Sequence, residues 1–158
     1  MSLYQRIIVP VDDSPAAMYG LQAALALAKD QAAQLKLFTV VDEASSGYAG
    51  GELGWIEPEG IDKELRSEAR HLLNEAVASA EAAGLAPEQE LIETPSGHTV
   101  RAIHQAASQW RADLMVIGTH GRHGMAHMLF GSTAEDVVRS PELPILVVPI
   151  PHAGEAQE

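Results

Sequence analysis

Residues 113–133 read DLMVIGTHGRHGMAHMLFGST. Asp113 to Ile117 is a short, strongly apolar run of the kind that forms a buried strand. Gly118 follows it directly. A glycine-bearing connection then runs to Gly131, and Ser132 to Arg139 has the character of a short helix. Strand, glycine-rich turn and helix in that order make the unit from which α/β domains are built.

The same unit recurs on either side. Arg6 to Val11, RIIVPV, is a β-branched apolar run closed by Asp12, Asp13, Ser14 and Pro15. Pro15 suits the first position of a helix, with Ser14 or Asp13 as its N-cap. An alanine-rich helix is expected from Ala16 to Ala33, with Leu21, Ala24, Leu25 and Ala28 at helical spacing. Leu35 to Val41, LKLFTVV, is a second strand apolar enough to be covered on both faces. Asp42 to Gly60 holds five glycines with Tyr48, Trp55 and Pro58, and is expected to be a long irregular loop. It is either a lid or a surface excursion. A helix from Ile61 to Ala83 follows, carrying Leu65, Leu72, Leu73 and Val77 and ended by Gly84. Glu88 to Glu93 alternates charge with apolar character and reads as a strand near an edge. His98 to Trp110 is a third helix, and Pro144 to Ile150, PILVVPI, is the last strand. Alternating strands and helices imply one open, doubly wound, five-stranded parallel sheet with helices on both faces. The domain is placed at residues 1–151, with a short polar tail at 152–158.

Composition narrows the function. The chain has 158 residues, 46% of them apolar, which suits one domain with one core. It has no cysteine, so disulfides and thiol chemistry are excluded. The start, MSLYQRIIVPVDDS, shows no signal peptide, and no apolar run reaches the length of a membrane span. A cytoplasmic protein without membrane insertion is expected. A net charge of −12 argues against nucleic acid as a partner. It is compatible with a nucleotide, because backbone N–H groups hold phosphate without a basic surface.

In an open α/β sheet, ligands bind beyond the carboxyl ends of the strands at the switch in strand order. The places to inspect are therefore those after Val11, Val41 and Ile117. Gly118 and Gly121 open the backbone after a strand, where a Cβ would obstruct a ligand. Gly131, Ser132 and Thr133 open the last helix, whose N–H groups and dipole favour phosphate. The two hydroxyls can donate to phosphate or meet a metal riding on it. Thr119 and His120 lie within the same stretch, and Arg122 and His123 add positive charge. The alternative is a plain glycine-rich connection capped by Ser132 or Thr133. Asp12 either meets a ligand or joins Asp13 in capping the first helix. Val11 and Val40 either form a slot for a flat base or belong to the core.

The spacing Gly118, Gly121, nine residues, Gly131, Ser132 resembles the G-x-x-G-x9-G-S/T signature of the nucleotide-binding universal stress proteins. IIVPVDDS, LFTVVDE and SPELPILVVP resemble that family's first, second and last strands, so the likeness spans residues 4–150. The sequence lacks the Walker A and GxGxxG patterns. The resemblance implies a Rossmann-like sheet of the adenine nucleotide alpha-hydrolase type, in strand order 3-2-1-4-5. It implies that Asp12 lies against adenosine and that the backbone of Val40 recognises adenine beside Pro10 and Val11. Gly118, Gly121, Gly131, Ser132 and Thr133 then hold ribose and phosphates. The ligand would be ATP, or ADP or AMP, with or without Mg²⁺. A homodimer through Leu146, Val147, Val148 and Pro149 is implied as well.

No catalytic set stands out: there is no G-x-S-x-G elbow and no marked base for activating water. His120, His123 and His127 raise a zinc site, but no cysteine completes it, and no metal centre is expected. Met125, Met128, Leu129 and Phe130 either pack the loop or form a partner surface. The function expected is a nucleotide-dependent stress-response sensor or regulator acting on a protein partner. The alternatives are a slow nucleotide phosphohydrolase or an interaction module without nucleotide.

Overall fold

The computed structural model describes residues 2–42, 58–95, 97–119 and 129–151, with only the backbone at 58–62 and 129–132. The elements are β1 (Arg6–Pro10), α1 (Pro15–Gln31), β2 (Gln34–Asp42), α2 (Pro58–Ala82), β3 (Glu88–Thr94), α3 (Thr99–Gln109), β4 (Leu114–Thr119), α4 (Leu129–Arg139) and β5 (Ile145–Pro149). Every strand pair is parallel, and the order across the sheet is β3-β2-β1-β4-β5. This is the doubly wound five-stranded sheet that the sequence predicts.

Strand alternation divides the interior into two cores. Ile7, Val9, Leu37 and Val116 turn to the face covered by α1 and α2, where they meet Leu21, Leu25, Leu73 and Ala80. Ile8, Phe38, Met115 and Ile117 turn to the other face and meet Ile103, Ala107, Trp110 and Val137 of α3 and α4. Because the central strands are covered on both sides, they carry apolar residues at consecutive positions. β3 is an outer strand, and its alternating charge fits that place.

Local chemistry sets the helix ends. Ser14 caps α1: its hydroxyl accepts from the Ala17 N–H at 3.1 Å, and Pro15 takes the first helical position. α1 ends with Ala32 in the left-handed region at φ 51°. α2 is terminated just beyond Ala82 by Gly84, φ 85°, with Leu85 N–H returning to the Ala80 carbonyl at 3.0 Å. At the amino ends of the strands, the Asp113 carboxylate accepts from the N–H groups of Gln5 at 2.8 Å and Arg6 at 2.9 Å. The Arg6 guanidinium lies 4.1 Å from the centroid of the Trp110 ring and donates to the Trp110 carbonyl. This clamp ties β1 to β4 at the end remote from the strand tips.

Several element boundaries differ from expectation. Residues 58–60 belong to α2 rather than to the preceding loop. β4 continues through Gly118 and Thr119, which pair with Val148 and Pro149. α4 begins at Leu129, three residues before Ser132. The stretch 43–57, with Tyr48 and Trp55, lies outside the described residues, and so does the expected tail.

Candidate functional site

After β1 the chain enters α1 on one face of the sheet, whereas the helix after β4 lies on the other. Helices on opposite faces after neighbouring strands are the arrangement that leaves a crevice beyond the carboxyl ends, here those of β1 and β4.

The β1 side of this opening is fixed by a short turn. Asp12 Oδ1 accepts from the Ser14 N–H at 2.7 Å. That bond stabilises the chain reversal into α1 and holds the half-buried Asp12 carboxylate at the strand tip. The capping task falls to Ser14, while Asp13 is exposed. Pro10 is buried in the strand.

The β4 side is set by close backbone packing. A Cβ at Gly118 would overlap the carbonyl group of Ala16 and come within 3.2 Å of the Ala17 nitrogen. A Cβ at Gly20 would lie 2.8 Å from the Gly118 nitrogen. The bare Cα of Gly118 therefore faces the first turn of α1. This corrects the expectation that it is bare to admit a ligand. The effect on the site is indirect: β4 and the N-terminus of α1 are brought into contact, so the Asp12 turn and the start of the glycine segment become neighbours. Thr119, the last residue of β4, is half-buried there.

The β2 side offers backbone. Gln34 N–H donates to the Gln5 carbonyl, and the Phe38 carbonyl accepts from Val11 N–H at 2.8 Å, so even-numbered peptide groups of β2 face β1. The register with β1 ends at Pro10 opposite Phe38. The Thr39 hydroxyl donates to the Val11 carbonyl, and β1 then leaves for the Asp12 turn. Val40 is the next even-numbered residue, so its N–H and C=O face the opening that β1 has vacated. The two valine side chains do not form one slot. Val11 is 4% exposed in the core beneath α1 and α2, whereas Val40 packs against the core beneath α3 and α4. Alternation along paired strands puts them on opposite faces.

The remaining candidates belong to the segment after β4. His120, Gly121 and Arg122 lie outside the described residues, as do His123 and His127. Gly131 and Ser132 fall in the first turn of α4, where N–H groups have no acceptor within the helix through Gly131. Half-buried Thr133 follows them. Among the described residues no group of histidines and acids is arranged to hold a metal ion.

Sequence reading passed over one pair beside the opening. Asp42, the last residue of β2, accepts from the Thr99 hydroxyl, the first residue of α3, at 3.1 Å. An acid closing an apolar strand was the available signal, since Asp12 stands just past the end of β1 in the same way.

The fold defines a class: a doubly wound parallel α/β domain whose strand order switches between its first and fourth strands. The model of the Universal stress protein family matches residues 3–149. The chain belongs to that family. It is 31% identical over 150 residues to a universal stress protein of Methanocaldococcus jannaschii, covering 95% of this chain and 85% of the relative. A crystal structure from the same family in Burkholderia pseudomallei superposes with a TM-score of 0.74 at 30% identity, covering 95% of this chain and 99% of that one. A universal stress protein solved in complex with cAMP matches at a TM-score of 0.62 and 25% identity, covering 93% and 98%. Among the described residues no helix is long and apolar enough to cross a membrane.

Proposed function

We propose that this chain is an adenine nucleotide-binding universal stress protein, with ATP as its ligand, and that occupancy of the site regulates a protein partner. The observation that carries the reading is the backbone of Val40 facing the vacated edge of β1. Adenine presents an acceptor, N1, beside a donor, the N6 amino group. A strand residue presents N–H and then C=O, which complements that pair in the same plane.

The surrounding groups suit the rest of a nucleotide. Asp12 at the β1 tip accepts from a ribose hydroxyl or holds Mg²⁺ on the phosphates. The first turn of α4, which includes Gly131 and Ser132, offers N–H groups to phosphate, and the hydroxyls of Ser132 and Thr133 are assigned to the same ligand. Thr119, at the end of β4, and the sequence candidates His120, Gly121 and Arg122 are assigned to the same ligand. The cAMP complex of the related protein supports an adenine ligand. Native mass spectrometry of freshly purified protein, followed by calorimetry with Mg-ATP, tests this reading. Bound adenine nucleotide, or micromolar binding abolished by Gly131→Val, is the expected result. No bound nucleotide and no heat up to millimolar ATP would favour an interaction module instead.

The second part of the reading is a homodimer. β5 is an outer strand, and Leu146 and Val147 are each 40% exposed. Ile150 N–H donates to the Thr119 carbonyl, so even-numbered peptide groups of β5 face β4 and odd-numbered ones face outward. Val147 thus offers N–H and C=O to a second chain, while Pro149 offers a carbonyl alone. A two-fold antiparallel pairing centred on Val147 satisfies both copies.

A further inference from the structure

β1 and β2 separate at Val11, and the hydrogen bonds there depart from the ladder. Parallel strands exchange evenly spaced bonds. The Phe38 carbonyl accepts from Val11 N–H at 2.8 Å, and the paired register ends with Pro10 opposite Phe38. Val40 is the next residue of β2 in that row. Continued by one step, the ladder would run from Val40 N–H to the Val11 carbonyl, and from Asp13 N–H to the Val40 carbonyl. Neither bond is formed among the described residues. The Val11 carbonyl accepts instead from the Thr39 hydroxyl, and the Asp12 turn carries Asp13 away.

Thr39 is 5% exposed, and a buried hydroxyl requires a partner. Alternation along β2 puts its side chain with Leu37 on the face covered by α1 and α2. Its bond therefore holds the Val11 carbonyl toward that face, out of line with the Val40 N–H. A side chain has taken the acceptor that the next main-chain donor of β2 would use.

We propose that Thr39 is a positioning residue for the base: by holding the Val11 carbonyl, it keeps the Val40 N–H available to a ligand. The proposal rests on the nucleotide reading, in which that N–H donates to N1 of adenine. Without the Thr39 hydroxyl, the Val11 carbonyl is a buried acceptor that has lost its donor. The nearest main-chain donor in register is Val40 N–H, so the ladder closes by one bond. Adenine then has to break that bond before N1 can make its own.

The test joins amide hydrogen exchange by NMR with calorimetry, both on the full chain. In the free wild type, Val40 N–H is expected to exchange at least about tenfold faster than Phe38 N–H, which stays in the ladder. Thr39→Val removes the donor at nearly constant shape, and Val40 exchange should then slow about tenfold. Calorimetry compares ATP with 1-deaza-ATP, whose base carries C–H in place of N1. The wild type is expected to prefer ATP about tenfold, as one hydrogen bond implies. Thr39→Val should reduce that preference to about twofold or less, whereas Thr39→Ser, which keeps the hydroxyl, should retain it. A purely structural role would weaken both nucleotides alike and leave their ratio unchanged. Val40 N–H as protected as Phe38 N–H in the free wild type overturns the role of Thr39, and that measurement needs no variant to fold. A full preference for ATP in Thr39→Val overturns it as well. A wild type that binds neither nucleotide, or both equally, overturns this proposal together with the reading of the site.

Discussion

Gly20 of α1 and Gly118 of β4 meet backbone to backbone: a Cβ on Gly20 would stand 2.8 Å from the Gly118 nitrogen. Ala16, one turn earlier, presents its carbonyl to the Gly118 Cα. Neither partner in this contact is a flexible side chain that can move aside. Gly118→Ala is therefore expected to destabilise the fold by about 3 kcal/mol, at the upper end of overpacking costs. Gly131→Ala, in the first turn of α4, should leave the melting temperature within a few degrees while weakening nucleotide binding. Thermal melts of the two variants check this. Equal stability of Gly118→Ala and the wild type would sink the packing role.

That contact also shows where sequence reading stops. Ser14 as the cap of α1 was legible because capping is settled within four residues. The sheet order followed from the resemblance, and the two-sided burial of β2 from its consecutive apolar residues. The reason for glycine at 118 was not legible, since it lies in a helix 100 residues away in sequence. The Val11 and Val40 side chains read equally as one slot or as core, because each stands near the end of an apolar strand. Only the register between β1 and β2 reveals that they point to opposite faces. α4 begins three residues before Ser132, a start that Gly131 obscures because glycine is a poor helix former. Asp42 closes β2, although its sequence neighbours on the carboxyl side read as a loop.

Asp12 carries a prediction that separates turn from ligand. Its Oδ1 accepts from the Ser14 N–H, and an asparagine carbonyl can accept the same bond. Asp12→Asn should therefore melt within about 2 °C of the wild type, as expected for a change well below 1 kcal/mol. Its affinity for Mg-ATP should fall about tenfold or more, through loss of a charge-assisted contact. Calorimetry with and without Mg²⁺ is the measurement. Undiminished affinity would return Asp12 to a purely structural task.

The outer edge of β5 makes a separate prediction about assembly. Val147 is 40% exposed, so a charge there costs the isolated chain little. In a pairing centred on Val147, the two-fold axis brings both copies of the new side chain together. Val147→Glu should therefore shift the sedimentation mass from two chains to one without unfolding the domain. A wild type that sediments as one chain at micromolar concentration would rule the dimer out. A Val147→Glu variant that remains a dimer would move the interface elsewhere.

His104 sits 7% exposed on the inner side of α3, and neither of its ring nitrogens has a hydrogen-bond partner among the described residues. A buried polar group without a partner costs about 1–3 kcal/mol relative to a satisfied one. An apolar side chain of similar length avoids that cost and extends the packing begun by Ile103 and Ala107. His104→Leu is thus expected to stabilise the chain by about 1 kcal/mol, a rise of roughly 2–4 °C in Tm. Nucleotide affinity should not change, because the proposed site lies at the strand tips and the start of α4. Thermal unfolding with and without ATP checks both parts. A leucine variant that melts lower would mean that the imidazole is satisfied in solution, and a loss of ATP binding with full stability would bring His104 into the site.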